Sequence, residues 1–537
     1  MDRFLRYFNL FLFTILVLSI GFYFGKKYEF TYNDNGIING VKKMTYQNKI
    51  NNIIALIDNQ YLEKVDKDSL VDGVINQMMS TLDPHSTYID EKHSEESSRE
   101  IIGEFEGVGM EYLKIRDTFV VTNIINGSPN KNSLKIGDKL LNLDGKSILN
   151  TEENKIRNII LNKDKSEFIA KVKRNNKVEN IILKKGKINL SSIEAATFLD
   201  DKIGYIKLNL FSETTQKDFV YSLVNLKNRG MKTLILDLRD NPGGLMDVAF
   251  TIADEFISEG KNIFYTLDRN KTRTDYFATS KGNYESGKLY VLVNEKSASA
   301  SELLSGALQD QDRAVIIGKR TFGKGLIQKE IKIDDGSLVR LTVAEYFTPT
   351  GRAIQKYYKK GHSEEYYNEL IERFENENLT TKSERKALDS IVKTTPKGKK
   401  VFGGGGITPD IKINESSFFN NHTYTQLNLF VIDNFQKYKS AKLTHQNFNE
   451  LINDDLVLND FKNYLTKFKF IDYQENTKLL STYIKAELIK KLFGEELYYK
   501  QLSKADETIQ KAIELSNQSN KDINKAANTN PKKSLNQ

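Results

Sequence analysis

Apolar residues recur with two different periods along this 537-residue chain, and the change of period marks its parts. Between residues 44 and 80 the apolar positions fall three or four apart: Ile50, Ile53, Ile54 and Ile57, then Leu70, Val74, Ile75, Met78 and Met79. That spacing predicts a small helical bundle. Asp83-Pro84 ends it, because the residue before a proline is pushed out of the helical region. From Phe105 the pattern shortens to strands: Phe105–Tyr112, Thr118–Ile125, Lys139–Leu143, Phe168–Arg174 and Val178–Lys184. Short helices are expected over Ser133–Asp138 and Glu152–Leu161. Strands and helices then alternate: strand 203–211, helix 214–229, strand 233–240, helix 245–257, strand 289–294, helix 302–308 and strand 314–318. A hairpin follows, 327–333 and 338–347, turned at Asp334-Asp335-Gly336. This alternation predicts an α/β layer structure. Residues 357–400 are charged and rich in tyrosine and lysine, with one expected helix from Glu364 to Asn376. Val401–Asp410 is read as a strand returning to the sheet, and 423–515 as amphipathic helices such as Leu479–Leu492. The Asn-, Lys- and Ser-rich tail from about residue 517 lacks apolar content and is expected to be disordered.

One stretch concentrates the candidate chemistry. Ser297, Ser299 and Ser301 alternate with alanines where the strand 289–294 turns into a helix. Backbone N–H groups at a helix start are unpaired, and the helix dipole there favours negative charge. Lys324 follows between Gly323 and Gly325, on a loop with little bulk around its backbone. A serine at a helix start and a lysine on a glycine loop are what a Ser–Lys nucleophilic site requires. Asn241-Pro242-Gly243-Gly244 closes another strand and opens another helix, where exposed N–H groups could hold an oxyanion; a purely structural glycine turn would read the same. Helix geometry leaves Ser297, Ser299 and Ser301 equivalent. Two other Ser-x-x-Lys spacings, Ser128/Lys131 and Ser383/Lys386, fall in a turn and in the charged insertion, so neither faces a buried site.

Composition narrows the alternatives. Cysteine is absent, which removes thiol catalysis, thiolate metal sites and disulfides together. The five histidines are scattered with no HExxH spacing, so a zinc protease is not expected, and His85 reads as a capping or packing residue. The net charge of +8 is spread along the chain, not gathered into the basic stripe a nucleic acid would need. The four glycines 403–406 lack the lysine-serine pair of a phosphate loop. Near the start, Phe8–Phe24 is almost wholly apolar and is flanked by Arg3, Arg6, Lys26 and Lys27. With its flanks it reaches the roughly 17–25 residues that cross a bilayer. An uncleaved anchor is favoured over a cleaved signal, for which Ser19-Ile20-Gly21 is a poor site.

Taken in order, Leu82–Ser86, Gly107-Val108-Gly109, Asp237-Leu238-Arg239 with Pro242-Gly243-Gly244, Ser297–Glu302, Thr321–Gly325 with Gln328, and Gly406–Asp410 resemble the carboxy-terminal processing proteases. These are the Ser–Lys peptidases of family S41, and the resemblance covers roughly residues 45–415. It implies a crotonase-like α/β protease core with an inserted PDZ-like β domain, an N-terminal helical region and a helical C-terminal extension. The implied division is 1–27 anchor, 28–95 helical region, 96–188 PDZ-like domain, 189–356 protease core, 357–400 insertion, 401–415 return strand, 416–516 helical region and 517–537 tail. It also implies Ser299 as nucleophile, Lys324 as base 25 positions later, and Gln328 orienting the lysine amine. The oxyanion hole would use N–H groups of Ala300 and of Gly243 or Gly244, and Gly107, Val108, Gly109 and Met110 would take a peptide's C-terminal carboxylate. The lysine needs burial to lose its proton at neutral pH, with Phe322 as a candidate apolar neighbour. The function implied is an endopeptidase that captures protein C-terminal tails and cleaves near them, with no metal or other cofactor. It would be anchored in the cell envelope with the catalytic part outside the cytoplasm. The contrasting expectation is a catalytically silent PDZ-type peptide-binding adaptor or chaperone. Protein tails and the membrane are the expected partners, with a homo-oligomeric or adaptor contact through the helical C-terminus. The insertion and that C-terminus depart from the family pattern.

Overall fold

The computed structural model describes residues 46–162, 164–279, 282–375, 392–413, 421–440, 442–468 and 477–518. The expected anchor lies outside them, as does the expected disordered tail beyond residue 518. Among the described residues no helix is long and apolar enough to cross a membrane. The chain forms two compact units, Met1–Ile75 and Asn76–Gln537. In the first, the expected helix forms at Tyr46–Gln60, but Ile50, Ile53 and Leu56 on it are exposed and enclose no bundle core.

The second unit is built on a six-stranded sheet. Its order is Ile193–Asp200, Ile203–Leu208, Thr233–Asp237, Lys288–Val293, Val315–Gly318 and Ile411–Lys412. The first pair is antiparallel and the rest are parallel. Parallel strands are covered on both faces, so they read as continuous apolar runs. Alternation along each strand sends Leu234, Leu236, Val291 and Val293 to one face, against the helices Thr215–Asn228, Met246–Asp254 and Ala300–Asp310. Tyr205, Ile235, Tyr290 and Leu292 point to the other face.

That other face is covered by the chain's own C-terminal helices. Ala486, Tyr499, Leu502, Ile509, Ala512 and Leu515 pack on it. These helices therefore bury apolar residues against the chain's own sheet. A buried ion pair fastens the layer: Arg239 contacts Asp506 at 2.8 Å, and Asp506 also accepts the Ile509 N–H as the N-cap of helix Glu507–Asn517. Asp506→Ala should lower stability by about 2–3 kcal/mol through loss of the cap and of one of the two carboxylates, Asp237 being the other, that hold the Arg239 guanidinium. A lower urea midpoint, with hydrogen-exchange protection lost first in 495–517, is the expected reading.

A second, five-stranded sheet joins Thr87–Ile89, Leu338–Phe347, Asn262–Asp268 and Arg273–Phe277, with Leu326–Lys332 also paired to Leu338–Phe347. Residues 262–277 and 87–89 were not anticipated as strands. Separately, Met110–Ile115, Thr118–Ile124, Lys139–Leu143, Glu167–Arg174 and Lys177–Lys184 form a β domain in that pairing order, closed by helix Glu153–Leu161. The expected helix over Ser133–Asp138 is instead a pair of turns. Asp138 draws the Lys135 N–H away from helical pairing (2.8 Å), and Arg174 holds the same carboxylate at 2.6 Å. The expected return strand 401–410 divides in two. Lys400–Phe402 pairs with Val392–Thr394, and the sheet is rejoined only at Ile411–Lys412.

Candidate active site

Strand Lys288–Val293 and helix Ala300–Asp310 are joined by a turn that treats its three serines differently. Ser297 is fully buried, and its hydroxyl donates to the Leu238 carbonyl at 2.8 Å. Ser301 is fully buried too and donates to the Asn241 carbonyl at 3.0 Å. Ser299 is half-buried and faces a cavity of about 330 Å³. Its backbone is left-handed, with φ of +53°, a costly conformation for a residue with a Cβ. Glu302 supports it by accepting the Ser299 N–H at 2.9 Å.

Lys324 and Gln328 line the same cavity. The Lys324 amine donates to Gln328 Oε1 at 2.8 Å, and Gln328 Nε2 donates to the His85 backbone carbonyl. The loop carrying Lys324 needs its glycines. A Cβ on Gly323, at φ of +96°, would meet Lys356 and Gly405, and one on Gly325 would come within 2.6 Å of the Gln355 nitrogen. Part of the four-glycine run thus backs the lysine loop, with Thr321 N–H donating to the Ile407 carbonyl and Gly406 N–H to that of Ile354. The Phe322 ring lies under the Lys356 ammonium at 4.7 Å and against Tyr366. The apolar lining shared with Lys324 comes from Leu210, Leu245, Met246, Leu303, Leu326 and Ile327.

Burial brings the Lys324 ammonium down to about 8, helped by the positive Arg340 in the same cavity and opposed by Glu302 and Asp83. A useful fraction is then the free amine near neutral pH.

Glu302 and Tyr346 were not recognised as site residues from the sequence. Fully buried, Glu302 accepts from Thr321 Oγ1, the Gly323 N–H (2.7 Å), the Lys324 N–H (2.8 Å) and the Ser299 N–H. Burial pushes its carboxyl up to about 7, against the pull of these donors. The Tyr346 hydroxyl lies 3.1 Å from the Ser299 carbonyl oxygen and 2.9 Å from that of Lys324. One side chain therefore ties the two N–H groups together and another ties the two carbonyls. The available signal for Glu302 was its place three residues after Ser299 at a helix start, as in a capping box.

Gly243, Gly244 and Ala300 also line the cavity, but they are not equivalent donors. The Gly243 N–H is engaged by Asn241 Oδ1 at 2.9 Å. No acceptor among the described residues takes the N–H of Gly244 or Ala300. Gly243, at φ of +107°, packs so closely on the serine turn that a Cβ would come 2.8 Å from the Ala298 oxygen and the Ser299 Cβ.

The residues Gly107, Val108, Gly109 and Met110 do not line this cavity. Their loop is held through its carbonyls: Val108 O accepts from Ser128 Oγ and Asn130 Nδ2, and Gly109 O from the Ile125 N–H. Among the described residues the adjoining strand Met110–Ile115 pairs only with Thr118–Ile124, which leaves its other edge unpaired within that sheet.

Residues 202–363 match the sequence model of peptidase family S41, and residues 18–93 match that of the N-terminal domain of the activating protease CtpB. The chain is 34% identical over 312 residues to the carboxy-terminal processing protease CtpA of Bacillus subtilis, covering 57% of this chain and 66% of that one. It is 32% identical over 327 residues to a probable CtpA-like serine protease of Staphylococcus aureus, covering 60% and 65%. The chain thus spans just under two thirds of the length of these relatives. Among solved structures, the photosystem II D1 C-terminal processing protease matches at 26% identity and a TM-score of 0.35, over 57% of this chain and 83% of that one. The S41 match encloses the serine turn, the Pro242-Gly243-Gly244 turn and the lysine loop, so the part of this chain that carries the candidate site is the part similar to peptidase family S41.

Proposed function

We propose that the protein is a serine endopeptidase in which Ser299 is the nucleophile and Lys324 the general base, and that it cleaves near the C-termini of proteins. The observation that carries this reading is the shared cavity. It brings together one half-buried serine at a helix start, one lysine whose proton is loosely held, and a glutamine bonded to that lysine. Ser297 and Ser301 spend their hydroxyls on backbone carbonyls, which leaves Ser299 to attack.

The free amine of Lys324 takes the Ser299 proton as Oγ adds to the substrate carbonyl carbon. The resulting oxyanion lies within the cavity, where the N–H groups of Gly244 and Ala300 are the available donors. The Lys324 ammonium then gives its proton to the departing amine, and the C–N bond breaks to leave an ester on Ser299. Water attacks that ester, losing a proton to the amine, and the acid product departs as Ser299 regains its hydrogen.

Tail recognition belongs to the β domain 96–188, read as PDZ-like beside a crotonase-like core. The unpaired edge of Met110–Ile115 suits addition of a peptide strand, and the loop 107–110 at its start would receive the terminal carboxylate. The apolar run 8–24 supports attachment to a membrane with the catalytic unit outside the cytoplasm.

The deciding experiment compares wild type and Ser299→Ala on an unstructured peptide with a free C-terminus. The variant should lose about 10⁴-fold or more in rate. Equal binding with no cleavage by either protein would leave a peptide holder in place of a protease.

A further inference from the structure

The insertion that departs from the family pattern reaches the catalytic lysine through a short chain of contacts. Its helix, Ser363–Glu375, places the buried Tyr366 against His85, with ring centroids 5.1 Å apart and edge to face. The Tyr366 hydroxyl lies 3.0 Å from His85 Nε2 and 3.4 Å from the Gly323 carbonyl oxygen, and it accepts from Gln355 Nε2 at 3.3 Å. The helix is anchored from below by Lys356, whose ammonium bonds the Tyr366 carbonyl and Glu369, each at 2.7 Å. Tyr367 adds a bond to the Pro84 carbonyl at 2.9 Å.

His85 holds Gln328 with its own backbone. Its carbonyl oxygen accepts from Gln328 Nε2, while Gln328 Oε1 accepts from the Lys324 amine. A carboxamide has two ends of nearly equal size, so packing alone does not choose between its two orientations. A carbonyl can only accept and an amine carrying hydrogens donates here, so the flipped amide would set acceptor against acceptor and donor against donor. The position of the His85 carbonyl therefore decides which way Gln328 points. That carbonyl is fixed from two sides. Asp83 closes the turn by accepting the N–H groups of His85 and Ser86 (both 2.9 Å), the Ser86 hydroxyl (2.6 Å) and the Thr342 hydroxyl (3.0 Å). Tyr366 holds the ring.

We propose that helix Ser363–Glu375 braces the catalytic base: Tyr366, acting through His85, keeps the Gln328 carboxamide in the single orientation that receives a hydrogen from Lys324. With one amine hydrogen so directed, the lone pair is left to turn toward the cavity and Ser299. Tyr366 and His85 are then positioning residues that touch no substrate. The imidazole stays neutral, since burial and the nearby Lys324 charge bring it down to about 3, and so its Nε2 can accept from the tyrosine throughout the working pH range.

This inference rests on Lys324 being the base, and the test separates the two. Cleavage of an unstructured tail peptide is followed for wild type, Lys324→Ala, Gln328→Ala, Tyr366→Phe and the double variant Gln328→Ala/Tyr366→Phe. Tyr366→Phe should lower kcat by about five- to tenfold with KM within about twofold of wild type. The double variant should be no slower than Gln328→Ala, because a residue that acts only through Gln328 has nothing left to orient. Losses that multiply in the double variant, a loss confined to KM, or wild-type turnover in Tyr366→Phe would each overturn the brace. Activity retained in Lys324→Ala would overturn the base assignment itself; an inactive Lys324→Ala beside a fully active Tyr366→Phe would sink the brace alone. Should Tyr366→Phe fail to fold, Asp83→Asn loosens the same carbonyl from its other side and is held to the same kcat loss and the same non-additivity.

Discussion

Lys324→Arg is expected to keep the fold and to lose about 10³-fold or more in peptide cleavage. The substitution retains the positive charge and a long side chain, and so isolates one property, the ability to give up a proton. A guanidinium does not deprotonate in proteins, whereas the buried Lys324 ammonium does so at about 8. The same property sets the pH dependence. The amine must be free to act, so kcat/KM should climb about tenfold per pH unit below the break and flatten above it, with the break near about 8. An unchanged circular dichroism spectrum and melting temperature, together with lost turnover, would separate chemistry from folding. Near-normal turnover in the arginine variant would end the base assignment.

Glu302→Gln should cost about 10²-fold in turnover and about 2–4 kcal/mol in stability, although the two side chains have nearly the same shape. Four donors converge on the carboxylate: Thr321 Oγ1 and the backbone N–H groups of Ser299, Gly323 and Lys324. Both carboxylate oxygens accept, but one end of a glutamine amide donates. Whichever way that amide is placed, at least one backbone N–H faces another donor, and the serine turn or the lysine loop must shift. The charge change gives a second reading. Glu302 favours the Lys324 ammonium, so its neutral replacement should move the break in the pH profile below about 8. A rate loss with the break unmoved would assign Glu302 a packing role only.

Much of this site was legible in the sequence because its requirements are local. Glycines at 243, 323 and 325 mark places where a Cβ would strike backbone or a neighbouring side chain, and a strand running into a helix announces the serine turn. The choice among Ser297, Ser299 and Ser301 was not legible. Three alternating serines look alike until the carbonyls of Leu238 and Asn241 claim the outer two. Nor could residue types tell Gly243 from Gly244, since the difference is a side-chain oxygen two residues back that occupies one N–H. Glu302 was legible as a helix-start residue but not as a cross-link, because its further partners lie about twenty positions on. The strands 262–268 and 273–277 lack a long apolar run; the first is made by pairing with 338–347 on one side and with 273–277 on the other, which local pattern does not report. Ser133–Asp138 has helical composition, yet a long-range ion pair with Arg174 recruits Asp138 to a different turn.

The arrangement of the C-terminal helices makes closure of the second core a late event along the chain. Tyr205, Ile235 and Tyr290, in the middle of the sheet from which the serine turn and the lysine loop leave, wait for residues as late as Ile509, Ala512 and Leu515 to cover them. A growing chain thus holds Ser299 and Lys324 long before it holds the layer that packs on the far face of their sheet.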